Sequence, residues 1–60
     1  MTNLDATIQM ASELAIEEDA IQIVGRIGYE WAIAHEEDCG RIGQMAGTTY
    51  RVDASGIIEE

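Results

Sequence analysis

Apolar residues recur along the first part of the chain with the period of a helix. Leu4, Ile8, Ala11, Leu14 and Ala15 follow at steps of four, three and three or four, which lines them on one helical face. Asn3 suits an N-cap, and Thr2-Asn3-Leu4-Asp5 has the form of a capping box with Asp in place of Glu. Asp5 complements the positive end of the helix dipole. The pattern predicts a first helix over about residues 3–17. Glu17-Glu18-Asp19 then forms a connection, with Asp19 placed as the N-cap of a second helix.

Residues 20–37 are the most apolar stretch. At helical spacing Asp19, Gln22, Arg26, Glu30 and Glu37 form one polar stripe, while Ala20, Val24, Ile27, Trp31, Ala34 and His35 lie opposite. Ile21, Ile23, Gly28 and Ala32 widen the apolar side beyond a normal stripe. The expectation is a second helix over about 20–37, central in the fold or buried against another chain. Gly25 and Gly28 each cost such a helix about 1 kcal/mol. Two alternatives stand beside it. A single bent helix could run from residue 4 to 37, since no Gly or Pro marks the break. A strand could cover 20–24, where Ile21 and Ile23 alternate.

Glycine punctuates the last third, with Gly40 suited to follow a helix C-terminus. Thr48-Thr49-Tyr50-Arg51-Val52 has the composition of a strand. Asp53-Ala54-Ser55-Gly56 has the chemistry of a turn, and Ile57-Ile58-Glu59 returns. This predicts a β-hairpin, or a short antiparallel meander if Arg41–Ala46 is a further strand, over about residues 41–59. The expected fold is thus α+β: a two-helix hairpin packed on a C-terminal β-hairpin, in one small domain. Gly40-Arg41-Ile42-Gly43 repeats Gly25-Arg26-Ile27-Gly28, but the flanks do not match and no repeat architecture follows.

Charge changes this picture most. Twelve Asp and Glu stand against three Arg and no Lys, a net charge of −9 over 60 residues. Such a surface repels nucleic acid and anionic membranes and steers association toward basic partners. No apolar run approaches the roughly 18 residues of a membrane span. The first residues lack the positive region of a signal peptide, and one cysteine fits a reducing cytosol, so a cytoplasmic protein is expected.

Catalytic and metal chemistry find little support. His35 and Cys39, four apart, could share a metal on one helix, but zinc asks for four ligands and the chain has no second His or Cys. Cys39 as nucleophile with His35 as base lacks a visible third member and oxyanion donors. No phosphate-binding glycine motif is present. The expectation is no enzyme, no cofactor and no metal.

The acids themselves remain. Glu17-Glu18-Asp19 and Glu36-Glu37-Asp38 are the same triplet twice. On the helical reading they bracket helix 2 and lie about 27 Å apart at about 1.5 Å per residue. The first triplet is explained as connection and cap. The second opposes the helix dipole by about 0.3–1 kcal/mol per charge and so reads as the stronger binding candidate. Glu30 on the polar stripe ranks behind both, and Glu59-Glu60 form a further cluster. Carboxylates in rows imitate phosphates and fit an Arg/Lys-lined channel. The plain alternative is a solvated acidic face.

In length, charge and its two Glu-Glu-Asp triplets, the chain resembles the small acidic phage-encoded inhibitors of bacterial defence, the anti-CRISPR and DNA-mimic proteins. That resemblance implies a non-enzymatic inhibitor, working in a host cytoplasm, whose target is a nucleic-acid-handling complex with a basic groove. The competing expectation is an oligomerisation or antitoxin-like module, a homodimer for example, using the apolar helix 20–37 and Trp31 as its interface.

Overall fold

The computed structural model describes residues 4–58. Helix α1 (Leu4–Glu18) leads into strands β1 (Gln22–Ile27) and β2 (Glu30–His35). A short helix α2 (Cys39–Gly43) precedes strands β3 (Ala46–Asp53) and β4 (Gly56–Ile57). The four strands form one antiparallel sheet in the order β2-β1-β3-β4. The α+β class and the first helix follow the sequence pattern. Ala11 and Ala15 are buried and Leu4, Ile8 and Leu14 half-buried, as their spacing requires. The expected capping residues Thr2 and Asn3, and the acids Glu59 and Glu60, lie outside the described residues.

The helix expected over 20–37 is not formed, and the second helix of the fold is the short α2. Residues 20–37 instead form the β1–β2 hairpin, with Gln22 opposite His35 and Ile27 opposite Glu30. The strand alternative at 20–24 was the better reading of that segment, and the bent-helix alternative fails with the helix. The physical reason lies in two-sided burial. Gln22, Ile23, Val24 and Gly25 are all buried, so β1 is buried at four consecutive positions rather than at every second one, as strands covered on both faces are. Gly28 turns the chain with φ of +68°, and Tyr29 completes a two-residue loop. Glycine at the first loop position with positive φ is the pattern of a type II′ hairpin turn.

The C-terminal hairpin is found where expected. Asp53 pairs with Gly56, and the Asp53 carboxylate accepts a hydrogen bond from Ser55 N–H at 2.8 Å. The segment left open at Arg41–Ala46 is the end of α2, a short link and the start of β3. The two Gly-Arg-Ile-Gly stretches lie in a strand with its turn and in a short helix, so they share no structure.

Both faces of the sheet are covered. Helix α1 covers one face, where Ala11, Val24 and Val52 are fully buried, with Leu4, Ile8, Trp31, Ile33 and Tyr50 packed around them. Ser12 Oγ ties α1 to the far hairpin by donating to the Asp53 carbonyl at 3.0 Å. Because β1 lies between β2 and β3, the chain leaving β2 must cross over β1 to begin β3. It crosses on the other face, where Met45 lies against Gly25. A Cβ on Gly25 would stand 2.6 Å from Met45 Sδ and 2.9 Å from Met45 Cβ and Cγ. No helix of the described residues is long and apolar enough to cross a membrane.

Gly25→Ala therefore overpacks the crossing and lowers stability by about 1–3 kcal/mol, read from the urea midpoint. The same substitution in a Met45→Ala background costs less, because the Sδ and Cγ contacts are gone and only the 2.9 Å approach to Cβ remains.

Candidate functional site

The hairpin rearranges the acids. Gln22, at the start of β1, pairs with His35 at the end of β2 and with Val52 near the end of β3. The Glu36 N–H extends the ladder by one step, donating to the Ile21 carbonyl at 3.1 Å. Glu17-Glu18-Asp19, which precede β1, and Glu36-Glu37-Asp38, which follow β2, therefore occupy the same end of the sheet. The expectation of two triplets held apart at opposite ends of a helix is overturned by this register. Asp53 closes β3 at that end too, and with Asp19 it lines a shallow groove of about 220 Å³ against Ala15, Ile21 and Ala54. Seven acids thus share one pole of the fold. Glu30 opens β2 at the opposite end, so it stands apart from both triplets.

The roles assigned to the triplets also exchange. Glu17 and Glu18 lie in the last turn of α1, which contains no basic residue, at the negative end of its dipole. Asp19 is not an N-cap. It sits just past α1 with φ of 53°, the left-handed position that ends many helices, while Ala20 N–H returns to the Ala15 carbonyl at 3.1 Å. That φ costs a non-glycine residue about 1 kcal/mol. Glu18 accepts a long bond from Gln22 Nε2 at 3.5 Å.

The second triplet has structural work. Asp38 caps α2, its Oδ1 accepting from the Arg41 N–H at 3.2 Å. Glu36 pairs with Arg51 at 2.9 Å. Both partners are nearly half exposed, at 47% and 42% of their side chains, so the pair is worth little in water. Glu37 donates its N–H to His35 Nδ1 at 3.3 Å and leaves its carboxylate exposed. The dipole exception is therefore the first triplet, and the second is partly committed to capping and pairing.

Arg51 is the cation drawn into this pole. Arg26 instead stacks over Trp31 at 5.4 Å from the ring centroid, and Trp31 meets Tyr50 at 6.3 Å between centroids. Arg41 Nε donates to the Ile33 carbonyl at 3.0 Å. His35 ends β2 half-buried and Cys39 begins α2 exposed, so the two do not share a helix. Among the described residues no three of His, Cys, Asp and Glu gather to hold a metal ion.

No family model matches the chain, and no curated protein or solved structure is significantly similar to it.

Two substitutions test the exchanged roles. Glu17→Lys stabilises the protein by about 0.5–1 kcal/mol at low salt by reversing an unfavourable charge at the end of α1, and the gain shrinks at high salt. Asp38→Ala costs about 1 kcal/mol through loss of a cap. Thermal or urea melts of both variants decide the assignment; destabilisation by the first with no effect of the second would reverse it.

Proposed function

We propose that this chain is a non-enzymatic binding protein that places its acidic pole on a basic surface of a nucleic-acid-handling protein or complex. One observation carries the reading. The β1–β2 hairpin converts two distant acidic triplets into neighbours, beside Asp53, with Arg51 already paired to Glu36. Convergent carboxylates present a denser negative field than the same charges spread over a surface. A negative field of this kind is complementary to an Arg/Lys-lined groove that otherwise holds phosphates. The resemblance to anti-CRISPR and DNA-mimic inhibitors supports the same direction, with the target in the cytoplasm of a bacterial host. Glu17, Glu18, Asp19, Glu37 and Asp53 form the proposed contact, with Glu36 and Asp38 behind them.

The competing reading, an oligomerisation or antitoxin-like module, no longer has an apolar helix to offer. Its interior is β1, taken up inside the sheet. What remains for it is the outer edge of β2.

Immobilised protein, challenged with bacterial lysate at low salt, is expected to retain nucleic-acid-handling proteins that elute in a salt ramp and are displaced by duplex DNA. Glu17→Lys/Glu37→Lys loses that retention. Asp5→Lys, away from the pole, keeps it. Equal retention by the pole variant would remove the acidic pole from the contact.

A further inference from the structure

Strand β2 is an edge strand with an organised groove along its open side. The two-residue Gly28–Tyr29 loop makes Ile27 and Glu30 a hydrogen-bonded pair. Pairs then alternate along an antiparallel ladder, so the backbone N–H and C=O groups of Trp31, Ile33 and His35 point away from β1. Three contacts agree with that phase. The Ile33 carbonyl accepts from Arg41 Nε, the His35 carbonyl accepts from the Asp38 N–H at 2.9 Å, and the Glu36 N–H turns inward to Ile21.

A groove of about 440 Å³ follows this edge. Thr7 and Met10 of α1 form one wall, Arg41 and Gln44 at α2 the other, and Trp31 and Ile33 the floor. Met10 is 57% exposed. Natural sheets blunt open edges with lysine, proline, bulges or very short strands. Strand β2 has six residues, Glu-Trp-Ala-Ile-Ala-His, with no proline or lysine and a regular register to β1. What blunts it is the exposed Arg41 side chain on the Ile33 carbonyl. At the other edge of the sheet β4 pairs with Val52 and Asp53, and Thr48 and Thr49 beyond it are exposed.

Charge selects the occupant. Glu30 stands at one end of the edge and Glu36-Glu37-Asp38 at the other. A second copy paired antiparallel through Ile33 would set Glu30 against the partner's Glu36, with −9 facing −9. An extended segment with basic residues among apolar ones meets the opposite field.

We propose that the groove takes an extended basic segment of the partner, which adds to β2 as a fifth strand. Main-chain hydrogen bonds to Trp31 and Ile33 supply register. Arg41 swings away and its donor is replaced by a strand N–H. The inference takes from the preceding reading only that the partner is basic.

The test uses the acetylated, amidated peptide Lys-Val-Lys-Val-Lys-Val-Lys. It is expected to change Trp31 emission saturably and to slow hydrogen exchange at the Trp31 and Ile33 amides. The same peptide N-methylated at every peptide nitrogen keeps its charges but cannot donate to β2, and binds weaker by about tenfold or more. Arg41→Ala, which uncovers the Ile33 carbonyl and removes a cation, binds the parent peptide severalfold more tightly. Equal binding of the methylated peptide overturns strand addition while leaving the acidic pole intact. Equal binding of a Glu-for-Lys peptide with the same amide protection keeps the edge but overturns the basic occupant, leaving the acidic pole to its own salt-ramp test. No binding, or protection of those amides by raised protein concentration alone, overturns the proposal, the latter in favour of a second copy.

Discussion

The fold depends on β1 being buried from both sides. Val24 packs under Ala11 and against Val52, while Gly25, one residue on, faces the opposite way and receives Met45. A strand with a valine on one face and a bare backbone on the other lets a helix and a crossing loop close on a sheet only one residue thick. The fully buried side chains are small, Val24 and Val52 the largest. A chain of this length has little apolar area to bury, so close approach matters more here than bulk. Everything at the acidic pole follows from that placement, because Gln22 must pair with both His35 and Val52 once β1 is central.

This also explains which parts of the fold could be read in advance. Helix α1 was legible because one face is solvated and its apolar residues keep the helical period. The last hairpin was legible because Asp53 and Gly56 carry turn chemistry between β-branched runs. The middle was not, since two-sided burial erases the alternation that identifies a strand. Its Ile, Val, Trp and Ala residues satisfy a helix pattern equally well. The useful signal was the pair of glycines: Gly25 and Gly28 are a burden in a helix, yet one admits Met45 and the other makes the turn. Single acids were legible as candidates, but their convergence was not, and Asp53 was missed because only the long-range pairing of β1 with β3 brings it to the pole.

Electrostatics then separates structural from available charge. Asp38 and Glu36 are held by a helix cap and an arginine. Among the described residues Glu17 and Glu18 pair with no arginine, Glu18 accepting only the long bond from Gln22, and both sit where the α1 dipole disfavours them. Charges kept against a local cost are the ones a partner's cations would relieve, which gives the first triplet the greater weight in the proposed contact. The open edge of β2 lies beside the same pole, so a basic strand and a basic surface would approach from one direction.

The fold rests on the register of β1 against β2, which nuclear Overhauser contacts read out. The structure requires strong contacts between the α-protons of the non-hydrogen-bonded pairs, Val24 with Ile33 and Arg26 with Trp31. Successive amide–amide contacts running through residues 20–37, with α-proton contacts three residues ahead, would show a helix there and exclude the hairpin.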